Sequence, residues 1–154
     1  MIRQATLRDL DTVVALRLAL LREHPGHPLY GRLRVDAEER ARDLYAQQLQ
    51  SSGEAVFLFC EEGDAIGILR CVESLNSPLL DPPKYCYISS VYVLPRARRR
   101  GILRALFARA KDWARHRGLD EMRLHNVSTN PLANRAWDSL GFGVVEHVRV
   151  LSLA

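Results

Sequence analysis

Apolar residues along this chain follow two rhythms, a spacing of three and four residues and shorter runs that alternate or stay apolar throughout. Ile2–Ala5 predicts a short first strand. Thr6 then suits a helix N-cap, with Asp9 three residues on as the partner of a capping box. Leu10, Val13, Val14, Leu18 and Leu21 recur at helical spacing and mark a core-facing stripe. His24–Pro28 (HPGHP) ends that helix through two prolines and a glycine. A second helix starts after Asp36, with Glu39 at the capping-box position, and runs to about Gln50, where Ser51-Ser52-Gly53 closes it.

Two apolar strands follow, Ala55–Cys60 and Ala65–Glu73, joined at Glu61-Glu62-Gly63-Asp64 as a hairpin. Gly67 within the second implies a bulge or a close backbone approach. Asn76–Pro83 forms a rigid loop that returns to a strand over Tyr85–Val93. Pro95 stops it, because proline brings no amide proton to a ladder. Beyond Gly101 the helical rhythm returns in Leu103, Leu106, Phe107, Ala110, Trp113 and Ala114, with Gly118 as its stop. Glu121–Val127 reads as a strand, Pro131–Leu140 as a helix ended by Gly141, and Phe142–Leu153 as one or two closing strands. The order β-α-α-β-β-β-α-β-α-β predicts one α/β domain over residues 1–154, a mixed sheet of about six or seven strands flanked by about four helices.

Composition narrows this little. A chain of 154 residues, 47% hydrophobic and 26% charged, is globular in character and large enough to bury a core. No apolar run approaches membrane-spanning length and the N-terminus lacks a signal-like apolar segment, so a cytoplasmic protein without membrane contact is expected. Cys60, Cys71 and Cys86 are scattered through apolar runs with no metal-ligand spacing, which predicts buried, unlinked thiols. His24 and His27 have no carboxylate partners in sequence, and no metal site is expected.

The net charge of +4 has much of its excess in one place, Arg96, Arg98, Arg99, Arg100 and Arg104 around Gly101. Such a run is often a solvated face or a nucleic-acid patch. Here a strand precedes it and a helix follows, which gathers free amides and a positive dipole end into an anion site suited to diphosphate. Arginine side chains would add charge-assisted contacts. With a single basic cluster and no nucleic-acid motif, nucleic acid is not expected as a partner.

Arg98-Arg99-Arg100-Gly101-Ile102-Leu103 resembles the acetyl-CoA signature Q/R-x-x-G-x-G/A of the GNAT superfamily of N-acetyltransferases. Asn130, Ala133, Trp137 and Leu140-Gly141-Phe142 resemble that family's N-x-x-A-x-x-x-Y-x-x-L-G-F ending. The resemblance implies acetyl transfer from acetyl-CoA directly to a primary amine of a small molecule or peptide, by a monomer or homodimer. It implies that Val91, Tyr92 and Val93 pair through their backbone with the pantetheine arm. Arg98, Arg99, Arg100, Gly101, Ile102, Leu103 and Arg104 would hold the diphosphate, and Asn130 and Asn134 would add polar contacts.

Three departures stand out. Leu103 replaces a small residue. Trp137 replaces the tyrosine general acid, and an indole has no proton to give usefully. Ser89 and Ser90 stand where a carboxylate is frequent, leaving Glu73 and His125 as the available base candidates. The last two departures open a second reading, a CoA-binding or sensing module of the same fold with little or no turnover.

Overall fold

A two-residue turn at Glu62 and Gly63, both at positive φ (53° and 86°), folds the central hairpin back on itself. The computed structural model that shows this describes residues 1–154. Its elements are β1 (Ile2–Gln4), α1 (Leu10–Arg22), α2 (Ala37–Leu49), β2 (Glu54–Glu61), β3 (Asp64–Leu75), β4 (Lys84–Val93), α3 (Ile102–His116), β5 (Met122–Leu124) and α4 (Pro131–Ser139). By internal contact the chain divides into two units, Met1–Leu124 and His125–Ala154.

The first unit holds one mixed sheet in the order β1-β2-β3-β4-β5. The first three pairings are antiparallel, and β4 with β5 is parallel across the α3 crossover. The sheet thus has five strands rather than the six or seven the apolar runs suggest. The expected strand Glu121–Val127 shortens to Met122–Leu124, which leaves His125 outside it.

One sheet face packs against α1 and α2: Val56, Leu58, Ile68 and Tyr92 share a core with Val13, Val14, Leu18, Ala41 and Tyr45. On the other face α3 buries Ile102, Leu106, Phe107, Ala110 and Ala114, each large side chain worth about 1.5–3 kcal/mol. The stop of α3 is hydrogen-bonded as expected, with Gly118 N–H donating to the Arg115 carbonyl at 3.0 Å and Leu119 N–H to Ala114 at 2.9 Å. Cys60, Cys71 and Cys86 are free and buried.

Gly67 meets both of its expectations. The register of β2 with β3 shifts between Phe59 and Cys60, beside Gly67. A Cβ added at Gly67 would also lie 2.9 Å from Ile102 Cγ2 and 3.2 Å from Leu106 Cδ1. The missing side chain is what lets the start of α3 settle on the sheet.

At the helix starts the expected caps are partly redirected. Asp9 accepts the Thr6 N–H at 2.9 Å, as a capping box requires. Asp36, in contrast, spends its carboxylate on Arg34 and Arg40, at 3.1 and 2.6 Å, with no bond to an α2 amide.

In the second unit α4 ends at Gly141, where Phe142 N–H donates to the Trp137 carbonyl at 3.1 Å. Residues 143–154 carry no regular secondary structure. Val144, Val145, Val148, Val150, Leu151 and Leu153 are 60–96% exposed, so their β-propensity has no partner strand or covering layer to act on.

Two outcomes test this account. Gly67→Ala overpacks against Ile102 and should cost about 1–3 kcal/mol in urea unfolding. Arg3 grips Asp9 with bonds of 2.7 and 2.8 Å, and this holds the Asp9 carboxyl below its ordinary value. A depressed folded value gives stability that is complete above the ordinary aspartate range and is lost as the pH falls through the folded value. Asp9→Asn should therefore be less stable than the parent from about pH 5 upward, with the gap closing in acid, in unfolding curves taken across pH.

Candidate functional site

The end of β4 and the start of α3 meet in a loop with unusual backbone geometry. After the short turn Pro95–Ala97, Arg99 (φ 63°) and Gly101 (φ 78°) are both left-handed. For Arg99 that conformation costs about 1–2 kcal/mol, and for Gly101 it costs little. Gly101 is the N-cap of α3, and its carbonyl accepts the Ala105 N–H at 3.0 Å. The amides of Ile102, Leu103 and Arg104 have no carbonyl one turn behind them and point out of the helix end. Nothing lies within 4 Å of a Cβ built at Gly101, so the approach is open there. Leu103 is half-buried beside it.

The arginine side chains are less free than the sequence suggests. Arg98 donates from Nε to the Val93 carbonyl at 2.9 Å and from Nη2 to Glu23 at 2.6 Å. Arg100 pairs with Glu61, which holds that carboxyl below its usual range. Arg99 and Arg104 are exposed and keep their charges uncommitted. The loop therefore offers main-chain donors and free cations, Arg99 and Arg104 among them, while Arg98 and Arg100 tie it to Glu23 and Glu61.

Just before the loop, β4 carries an irregularity that no residue pattern announced. Between the pairs Ile68–Tyr92 and Arg70–Ser89, β3 supplies only Leu69 while β4 supplies Ser90 and Val91. Ser90 takes the strain at φ 53°. On its other side β4 meets β5 only through Cys86, Tyr87 and Ile88. Leu94 N–H donates to the Ile66 carbonyl at 2.9 Å, so Leu94 and Tyr92 turn their main-chain groups toward β3. Val91 and Val93 turn theirs away. Of these, the Val93 carbonyl is held by Arg98. The Tyr92 ring lies in the α1/α2 core, where burial raises its phenol pKa.

A polar cluster that the sequence reading missed crosses the α1/α2 face of the sheet. Arg70 on β3 grips Glu54 on β2 through bonds of 2.7 and 3.1 Å and donates to Ser89 Oγ at 3.1 Å. Beside it Arg17 of α1 is 8% exposed, the one charged residue in the buried class. Its guanidinium stacks on the Tyr45 ring at 3.6 Å, donates to Gln48, and has no carboxylate of its own. Burial lowers its pKa to about 10, so it stays charged at neutral pH. Arg17 sits on the stripe of Leu10, Val13, Val14, Leu18 and Leu21, and a charge at a core position was the signal available. The loop before α2 reaches the same side. His27 stacks on Tyr30 at 4.7 Å, and burial, then Tyr30 and Tyr85 nearby, raise the Tyr87 phenol.

Glu73 lies on the opposite face. Its carboxylate is 3.5 Å from Arg117 and 3.9 Å from Lys84. Arg117 ends α3, which at 15 residues rises roughly 22 Å from Gly101. The structure thus sets Glu73 among cations at the far end of the crossover helix.

In the second unit, Asn130 caps α4 by accepting the Ala133 N–H at 3.1 Å. Asn134 accepts from Asn126 at 2.7 Å and donates to the Ser128 carbonyl at 2.9 Å, which braces the turn before the helix. Trp137 is buried, edge-on to Phe142 with ring centres 5.4 Å apart. His125 is exposed.

A bulged strand with unpaired main-chain groups, running into an amide-lined helix start, can hold a ligand that carries both amides and a diphosphate. The profile of the Acetyltransferase (GNAT) family matches residues 17–142, and the chain belongs to that family. It is 29% identical over 150 residues to an aminoglycoside N(6')-acetyltransferase type 1 of Salmonella typhimurium, covering 96% of this chain and 94% of that one. Among solved structures it resembles AAC(6')-Iy in complex with the bisubstrate analog CoA-S-monomethyl-acetylneamine, at 25% identity and a TM-score of 0.76, covering 100% of this chain and 97% of the other. It shares the fold of a protein of Clostridium acetobutylicum described as a predicted acetyltransferase with acetyl-CoA, with a TM-score of 0.82 at 17% identity over 99% of this chain and 96% of that one. The protein is an N-acetyltransferase with acetyl-CoA as co-substrate. The loop fits that group: its helix-start amides are unspent, Gly101 leaves room, and Arg99 and Arg104 are unpaired.

The half-buried Glu54–Arg70 pair gives a direct test. Glu54→Gln leaves two guanidiniums without a carboxylate and should cost about 3–5 kcal/mol in urea unfolding. Glu54→Leu combined with Arg70→Met should recover much of that loss.

Proposed function

We propose that this chain moves the acetyl group of acetyl-CoA directly onto a primary amine of a small molecule. The observation that carries the reading is the side of β4 beyond Ile88, where Val91 and Val93 face away from β3 and lead into the Gly101 loop. Bound acetyl-CoA supplies the thioester. The free main-chain groups of Val91 and the Val93 N–H suit the amides of its pantetheine arm. The amides of Ile102–Arg104, with Arg99 and Arg104, suit its diphosphate. The acetyltransferase relatives named for aminoglycosides support an amine on a small molecule as the acceptor class.

The transfer is direct, with the obvious sulfur and hydroxyl carriers beside the strand withheld. All three cysteines are buried, and Ser89 is tied to Arg70. As the amine nitrogen bonds to the acetyl carbon, the carbon–sulfur bond breaks and the sulfur leaves with the electron pair. A thiol near pKa 8.5 makes a tolerable leaving group without a protein acid. General-acid help is typically worth roughly 10²–10⁴-fold, and Trp137 supplies none of it. The amine's proton passes to solvent, since Glu73 is engaged by Arg117 and Lys84. The family match runs from the first unit into the second, which supports reading residues 1–154 as one acetyltransferase domain. The absence of a carboxylate on β4 and the tryptophan at position 137 favour, as a second reading, a module that binds CoA without turnover.

Acetyl-CoA at a hundredfold its Kd should stabilise the protein by about 2.7 kcal/mol, and thiol should be released when an amine panel is added. Gly101→Val places a branched side chain at a left-handed position on the cradle and should lose most of that stabilisation. Binding without acetylated product would favour the second reading, and no stabilisation of the parent protein would remove both.

A further inference from the structure

We propose that Arg17, with Arg70 behind it, seats a carboxylate of the acceptor, so that the substrate is an amino acid or a comparably small amine that carries an acid group. The inference rests on the acetyltransferase reading and adds its substrate class. Arg17 is over nine-tenths buried, yet its one hydrogen bond is to the neutral Gln48. No side-chain nitrogen in the protein is both sealed from solvent and without a partner, so the part of the guanidinium that Gln48 leaves unused opens to solvent-reachable space. The nearby carboxylate of Glu54 is already committed, in two-point fashion, to Arg70. Two guanidiniums against one carboxylate leave a net positive charge where solvation is poor, and an arriving carboxylate meets it with a planar two-point match.

Position ties this seat to the reaction. The cluster runs from α1 across β3 to Ser89, the residue immediately before the strained Ser90 of the β4 bulge. The loop carrying Tyr30 borders the same face, and its Arg34 shares Asp36 with Arg40. A polycationic acceptor would bring ammonium groups against this charge, where the Glu54 carboxylate is already held by Arg70. An amino acid brings one amine for transfer and one carboxylate for Arg17.

The test uses the full-length protein with acetyl-CoA, the standard amino acids, the carboxamide of each, and kanamycin, followed by thiol release. At least one amino acid should be acetylated with kcat/KM about tenfold or more above its own amide and above kanamycin. Arg17→Met keeps the packing on Tyr45 and should raise KM for that amino acid roughly 10–100-fold, with acetyl-CoA stabilisation unchanged. Arg17→Lys, which retains the charge without the planar fork, should fall between them and serves if the methionine variant does not fold. Calorimetry of the amino acids and amides against the CoA-saturated protein gives a readout that needs no turnover. Amides or kanamycin used or bound as well as the acids, or Arg17 variants that leave KM and binding unchanged, would overturn the proposal. Failure to bind acetyl-CoA would instead strike the acetyltransferase reading on which it rests.

Discussion

The hydrogen bonding of β4 is the constraint on which the other features depend. An interior strand ordinarily spends its main-chain groups on both neighbours, and an unpaired buried amide is costly. Here β4 is paired with β3 along its length, but with β5 only through Cys86–Ile88. The bulge at Ser90 adds a residue and turns the strand's end, and Arg98 folds back to cap the Val93 carbonyl. What remains unpaired is a short row of donors and acceptors with a fixed direction, ready for a ligand that carries amides of its own.

The same economy governs the loop. A diphosphate cradle needs several N–H groups aimed at one point, and the start of α3 supplies them without any particular side chain. The conspicuous arginines serve two purposes. Arg98 and Arg100 fasten the loop to Glu23 and Glu61, holding the amides in place, while Arg99 and Arg104 stay available for charge. Gly67 contributes from beneath by letting Ile102 sit against the sheet. An anion site of this kind is built from backbone geometry, and the basic residues secure and tune it.

That division explains what could be read in the chain beforehand. Helices showed themselves through the three-and-four spacing, and the stops at Gly118 and Gly141 through glycine after an apolar stripe. The Glu62-Gly63 turn was equally plain. The bulge at Ser90 was not, because serine, serine and valine have no compositional mark when one of them takes positive φ. The Glu54–Arg70 pair was hidden by another local event. The one-residue shift beside Phe59 changes which residues of β2 and β3 lie opposite, so a register counted from the turn sets Arg70 beside Ala55 instead of Val56. The short β5 and the unpaired residues 143–154 mark a related limit. Valine-rich segments state a preference for strand, but only a partner edge converts that preference into a ladder.

Arg17 poses a question of energetics that packing alone does not answer. Its neighbours on the α1 stripe are aliphatic, and a leucine or methionine there would join the same core without desolvating a charge. Burying a guanidinium with no counter-ion costs several kcal/mol of hydration, and buried ion pairs are often no better than apolar replacements. The fold mitigates this through the Tyr45 ring, the Gln48 carbonyl and a partial opening to solvent, none of which cancels the charge. Helix propensity gives no reason for it, since leucine and arginine are equally good helix formers. Local rules are broken in this way where a site requires it. A cation kept charged and poorly solvated, near the Arg70 that bonds Ser89 of the bulged strand, is a cost that a purely structural core would shed.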